Sequence, residues 1–275
     1  MSAFRNTAVC VVLLSCFCAA VHAESLHKTE ITIQVRGQTQ TLTVYRAISP
    51  NSAVRKLLFA PGDAGCRGFA ISIAEELAKV GYDTYCFDTL QYLRSVTGSH
   101  VLTTLEIAAD FRTLADSINE HKSEPILLVG WSEGAGLGLV AAGCATNHEV
   151  FSGLVAIGTP EVNILAWRWR DVSAWITKSV PHEPTFKSAD FVDVVSPLPL
   201  FFIASSSNEY VSPEATRSLF SKAREPKQLV IVDARDHKYG GNRDDFFNVL
   251  RQATGWIEQQ QTTGHLRGTN ARLGR

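Results

Sequence analysis

The chain has 275 residues, of which 45% are hydrophobic and 19% charged, and its net charge is −1. That length allows one large domain with a buried core, and that composition excludes a disordered chain. No lysine or arginine block is longer than two residues, which argues against nucleic acid as a partner.

The chain starts "MSAFRNTAVCVVLLSCFCAAVHA", with one positive residue, Arg5, an apolar run from Ala8 to Ala20, and then Val21-His22-Ala23. A charged start, an apolar run too short to span a bilayer and an A-x-A-like end mark a secretory signal, expected to be cut after Ala23. Residues 1–23 are thereby set apart from a domain over 24–260, and the expected location is periplasmic or secreted. The same residues also allow an uncleaved anchor or a lipoprotein cut before Cys16, where Leu14 is a poor fit. Removing the signal takes Arg5 and no acids, leaving 25 basic against 27 acidic residues. It also removes three of the six cysteines. Cys66, Cys86 and Cys144 remain, each in or beside an apolar segment; at most one pair can form, and buried thiols are expected.

"TEITIQVRGQTQTLTVYRA" alternates polar and apolar residues around Gly37, which predicts a β-hairpin. Apolar strand-like runs follow at Lys56–Ala60, Tyr82–Asp88, Ile126–Gly130, Leu154–Gly158, Leu200–Ala204 and Gln228–Asp233. Helical patterns lie between most of them: Phe69–Val80 stopped by Gly81, Thr103–His121 with the capping box Thr103-x-x-Glu106, Ser132–Gly143, and proline-started Pro213–Ala223. Phe246–Gln260 closes the domain, and the polar tail over 261–275 is expected to be disordered. Strands alternating with helices predict an α/β fold, a mainly parallel sheet covered on both faces and led by an antiparallel hairpin. The stretch from Thr159 to Pro197 breaks the rhythm with "WRWRDVSAWITKSVPHEPTF" and three of the five tryptophans, which predicts a packed lid insertion over about 159–197.

The chemistry-bearing signal is "ILLVGWSEGAGLG". Gly130-Trp131-Ser132-Glu133-Gly134 sits between an apolar strand and a small-residue helix, the setting of a tight turn that exposes a serine nucleophile. The helix start then offers backbone N–H groups to an oxyanion. In "QLVIVDARDHKYGG", His237 follows the last strand on a loop able to reach that serine, as a general base must. The other histidines lie in the signal, the tail, or segments of the wrong order. "LLFAPGDAGCRGF" places a glycine-containing loop after an early strand, where the second oxyanion donor belongs. The expected donors are the backbone amides of Glu133 and of Asp63 or Ala64, although Asp63 also suits a helix cap.

Serine, a turn after the next-to-last strand, then histidine resembles the α/β-hydrolase superfamily over about Leu57 to Ile257. Gly62-Asp63-Ala64-Gly65 together with Asp88-Thr89-Leu90-Gln91-Tyr92 is similar to exported bacterial VirJ/AcvB-type proteins, which are associated with virulence and with hydrolysis of aminoacylated phospholipids. That resemblance implies a periplasmic ester hydrolase working on a small-molecule or lipid headgroup ester, with peripheral membrane contact. The superfamily's acid motif, Asp-x-x-Val, lands on Asn208 with Val211 as its valine. An asparagine can hydrogen-bond an imidazole but cannot stabilise an imidazolium, and it can favour the wrong tautomer. Glu209, Glu161 and Asp236 are alternative acids, with Glu209 the leading one and Asn208 a neutral orienter beside it. Trp131, Trp167, Arg168 and Arg170 are candidate substrate contacts, the arginines for an anionic headgroup. No cofactor and no metal is expected: the sequence has no CxxC pattern and its histidines are scattered. Asn208 also leaves room for a second reading, a non-catalytic binding protein on the same fold.

Overall fold

The hairpin forms because Arg36 and Gly37, both at positive φ (49° and 72°), close a two-residue turn between β1 (Leu26–Val35) and β2 (Gln38–Ala47). Turns of this hand match the twist of the strands they join. Arg36 then reaches across to α3 (Thr104–Ile118), where its Nε and the Tyr92 hydroxyl both donate to Asp110 Oδ2, at 2.8 and 2.6 Å. The computed structural model describes residues 26–47, 55–96, 100–120, 124–168, 177 and 183–273, with backbone alone beyond 262. The expected signal and the Cys16 alternative lie outside these residues, as do Arg170 and the middle of the expected lid, 169–176 and 178–182.

The remaining elements alternate as the sequence predicts. They are β3 (Arg55–Ala60), α1 (Phe69–Lys79), β4 (Tyr82–Phe87), α2 (Thr89–Arg94), α3, β5 (Ile126–Trp131), α4 (Glu133–Gly143) and β6 (Phe151–Ile157). After an insertion come β9 (Leu200–Ser205), α5 (Pro213–Lys222), β10 (Lys227–Val232) and α6 (Arg243–Leu273). The main sheet has eight strands in the order β1-β2-β4-β3-β5-β6-β9-β10, antiparallel at the hairpin and parallel from β4 onward. Both faces of the parallel strands are buried, so they read as continuous apolar runs. One face packs beneath α3 and α4, the other beneath α1 and α6. The fold is the expected α/β-hydrolase arrangement.

Local signals set the helix ends. The Thr103 hydroxyl accepts the Glu106 N–H, and Glu106 accepts the Thr103 N–H in return, the reciprocal pair read from the sequence. α6 continues past Gln260, the expected end of the domain, to Leu273. No proline interrupts that segment, and a helix anchored by buried Phe246, Leu250 and Ile257 gains one backbone hydrogen bond for each added residue. The cysteines are not all thiols: Cys66 and Cys86 are joined by a disulfide, and Cys144 stays free. The loop after β3 folds back over the end of β4 and brings the two Cα atoms to 6.2 Å, within disulfide range. In the insertion, the described residues form a two-stranded antiparallel ribbon of β7 (Val162–Ile164) and β8 (Thr185–Lys187). Among the described residues no helix is long and apolar enough to cross a membrane.

Candidate active site

The parallel strands end together, and the chemistry-bearing loops gather at that end. β5 stops at Trp131, α4 begins at Glu133, and Ser132 makes the whole turn alone at φ 55° and ψ −126°. A positive φ is rare for a side chain larger than glycine and points to a function that requires it. The turn is held from both sides: the Ser132 N–H donates to Ile157 O and its carbonyl accepts the Ala135 N–H, each at 2.8 Å. Gly134 has to be glycine, because a Cβ there would fall on the Ala60 carbonyl of β3. The helix therefore sits tight on the sheet, and its first amide, that of Glu133, opens beside Ser132.

The loop after β3 closes the other side. The Gly65 N–H donates to Gly62 O at 2.9 Å, which puts Asp63 and Ala64 at the crest of a turn. A Cβ on Gly62 would lie 3.1 Å from Ser132 Cβ, so this turn borders Ser132, where the expected second oxyanion donor belongs. Asp63 does not cap α1; the cap position is Gly68, without a side-chain hydrogen bond. The cap of the neighbouring helix comes from Asp88, which accepts the Gln91 N–H at the start of α2. The disulfide from Cys66 to Cys86 pins this loop to β4. The Glu133 carboxyl is buried, and Oε1 accepts the Ile164 N–H at 2.6 Å, tying α4 to the insertion. Burial, and then the charge of Asp63, push this carboxyl well above the usual carboxylate range.

His237 stands across from these elements, 6% exposed, with its ring stacked on Trp131 at 5.2 Å and 22°. Gly158, at the end of β6 with φ +56°, lets the ring come close: a Cβ there would lie 2.9 Å from Cε1. Geometry separates the contacts of the candidate acids. Asn208 Nδ2 lies 2.9 Å from His237 Nδ1, while Asn208 Oδ1 accepts the N–H groups of Tyr210 and Val211 at 2.9 and 3.2 Å. Glu209, the leading alternative from sequence, is corrected: Oε2 accepts the His237 backbone N–H at 2.7 Å and leaves the ring to Asn208. One residue along an extended turn sends the side chain to the opposite side, which is why the adjacent acid cannot take the same partner. Asp236 is spent on the N–H groups of Lys238 and Gly240, and Glu161 is exposed. Burial pushes the imidazole down to about 4, against an upward pull from Glu209, a downward push from Lys238 and an upward pull from Asp236.

The substrate candidates divide. Trp131 is 6% exposed and acts as a floor for the imidazole. Trp167 is corrected: it is buried in the core, its backbone N–H donates to Leu93 O, and the Arg94 guanidinium lies 4.2 Å over its ring. Arg168 is corrected too, since it pairs with the buried Glu183 and donates to His100 O. A tryptophan flanked by arginines reads the same whether it faces substrate or core, and the fold alone assigns it here. Sequence reasoning missed Tyr210, which is 53% exposed and stands edge-on to His237 at 5.2 Å. It also missed Gly158. The position of Tyr210 inside Asn-x-x-Val was the available signal for the first.

Residues 56–175 match the family model of the alpha/beta hydrolase fold. Among solved structures, the chain is similar to the esterase domain of a Rhodothermus marinus protein (TM-score 0.60, 22% identity, covering 85% of this chain and 98% of that one). It is also similar to Est1E from Butyrivibrio proteoclasticus (0.59, 14%, 84% and 98%). XC6422 from Xanthomonas campestris, an a/b serine hydrolase without lid, gives 0.56, 18%, 82% and 93%. At these identities the likeness is one of fold. No curated protein matches the chain significantly in sequence.

Proposed function

We propose that this chain, an α/β-hydrolase-fold protein, is a serine hydrolase of carboxylic esters. The single observation behind the reading is Ser132, held alone at φ 55° between β5 and α4. In the reaction Ser132 Oγ attacks the ester carbonyl as its proton passes to His237 Nε2. The amides of Glu133 and of Asp63 or Ala64 hold the oxyanion, and the imidazolium returns the proton to the leaving alcohol. Water then adds to the acyl-enzyme by the same route and releases the acid. A fluorophosphonate should label Ser132 in the folded protein and leave Ser132→Ala unlabelled; absence of labelling refutes the reading.

The finer reading is an exported enzyme, periplasmic or secreted, acting on a lipid headgroup or aminoacyl ester. It is supported by the signal-like residues 1–23, by the VirJ/AcvB-type stretches, and by a disulfide suited to an oxidising compartment. Cell fractionation locates the protein, and hydrolysis of an aminoacylated lipid in vesicles tests the substrate. A second reading, a binding protein with little turnover, is favoured by one observation: an amide rather than a carboxylate faces His237 Nδ1. Absence of turnover with short-chain esters, despite correct folding, would select it.

A further inference from the structure

The partner of His237 determines which ring nitrogen carries the proton. An asparagine amide has a donating and an accepting end, and here two fixed donors decide between them. Asn208 Oδ1 accepts from the Tyr210 and Val211 amides. Turning the amide over would set its NH2 against both N–H groups, losing two hydrogen bonds and opposing donor to donor. The NH2 therefore points at His237, 2.9 Å from Nδ1, and Nδ1 must accept. A neutral imidazole that accepts at Nδ1 carries its proton on Nε2. Nε2 is turned away from the Asn208 turn, buried, and without a hydrogen bond among the described residues.

We infer that the resting site is a receptor for a carboxylate, with His237 Nε2–H as its buried donor and the first amide of α4 as its second. His237 stacks on Trp131, just before Ser132, and the Glu133 amide opens the helix just after it. Both are donors and the helix start carries a partial positive charge, so the complementary ligand is an acceptor with negative charge. The acid released by ester cleavage has that chemistry, so the choice of ligand rests on the hydrolase reading, whereas the tautomer does not. The opposing charges are Asp63 on the loop after β3 and Glu209 and Asp236 around His237; Glu209 and Asp236 are already committed to backbone N–H groups. The consequence is a site that binds its product acid and starts each cycle with its base in the donor form.

The test is long-range proton–nitrogen NMR of His237 in the full-length protein near neutral pH, with butyrate as the probe. Wild type is expected to show the proton on Nε2, and butyrate should shift the His237 signals. In Asn208→Asp, at a pH where its imidazole is neutral, the proton should sit on Nδ1, and butyrate should bind about 10- to 100-fold more weakly, the loss of one hydrogen bond to a charged group. A wild-type proton on Nδ1 overturns the inference, and that spectrum requires no variant to fold. Equal butyrate affinity in both proteins, or none in wild type, overturns it as well. Fluorophosphonate labelling is independent: labelled protein with the proton on Nδ1 refutes the receptor and keeps the hydrolase. Unlabelled protein with the proton on Nε2 and bound butyrate does the reverse.

Discussion

Exchanging Asn208 for aspartate changes one NH2 into an oxygen and leaves the other end of the side chain on the Tyr210 and Val211 amides. To act as a base, the wild-type imidazole must first move its proton to Nδ1, where it meets an amide NH2 at 2.9 Å. That forfeits a hydrogen bond and leaves a buried donor unpaired, together about 2–3 kcal/mol. A carboxylate removes this penalty and adds a charged hydrogen bond to the imidazolium, for a total of about 3–5 kcal/mol. At about 1.4 kcal/mol per decade, kcat/KM of Asn208→Asp should exceed wild type by about 10² to 10⁴. The assay is hydrolysis of p-nitrophenyl butyrate across pH. The acid limb should also move upward, because burial is the largest push holding the wild-type imidazole at about 4, and a carboxylate opposes it. A folded variant with unchanged or lower kcat/KM refutes the claim that the amide limits the base.

Three further outcomes are expected. His237 titrates at about 4 in the fold against 6.5 when unfolded, so the unfolded chain binds more protons in that window and stability falls as pH drops through it. Urea unfolding should show wild type losing about 2 kcal/mol more than His237→Gln between pH 7 and pH 5. Removing the Cys66–Cys86 bridge, which spans 20 residues, with paired serines should cost about 3 kcal/mol by loop entropy, read as a lower urea midpoint. Glu209→Ala strands the His237 backbone N–H and should destabilise by about 1–3 kcal/mol, while Glu209→Gln keeps an acceptor and most of the stability. If Glu209→Gln abolishes esterase turnover as fully as Ser132→Ala, Glu209 acts on the ring and not on the backbone.

Much of this protein was legible in its residues. Periodicity located the strands and helices because a strand buried on both faces and a capped amphipathic helix leave different marks over a few neighbouring positions, as at Ile126–Trp131 and Thr103–Glu106. Gly130-x-Ser132-x-Gly134 revealed the strand-to-helix turn at Ser132, since its requirement for small neighbours is local. What depends on distant chain segments was not legible. Whether Cys66 meets Cys86, and whether Trp167 faces core or cleft, is decided by how loops return over the sheet. The choice between Asn208 and Glu209 rests on which of two adjacent side chains points at a ring 29 positions away. Sequence by itself determined the fold and the turn that carries Ser132. Tertiary structure alone decided what supports the histidine, because a hydrogen bond requires two groups to meet in space and the intervening sequence does not record their approach.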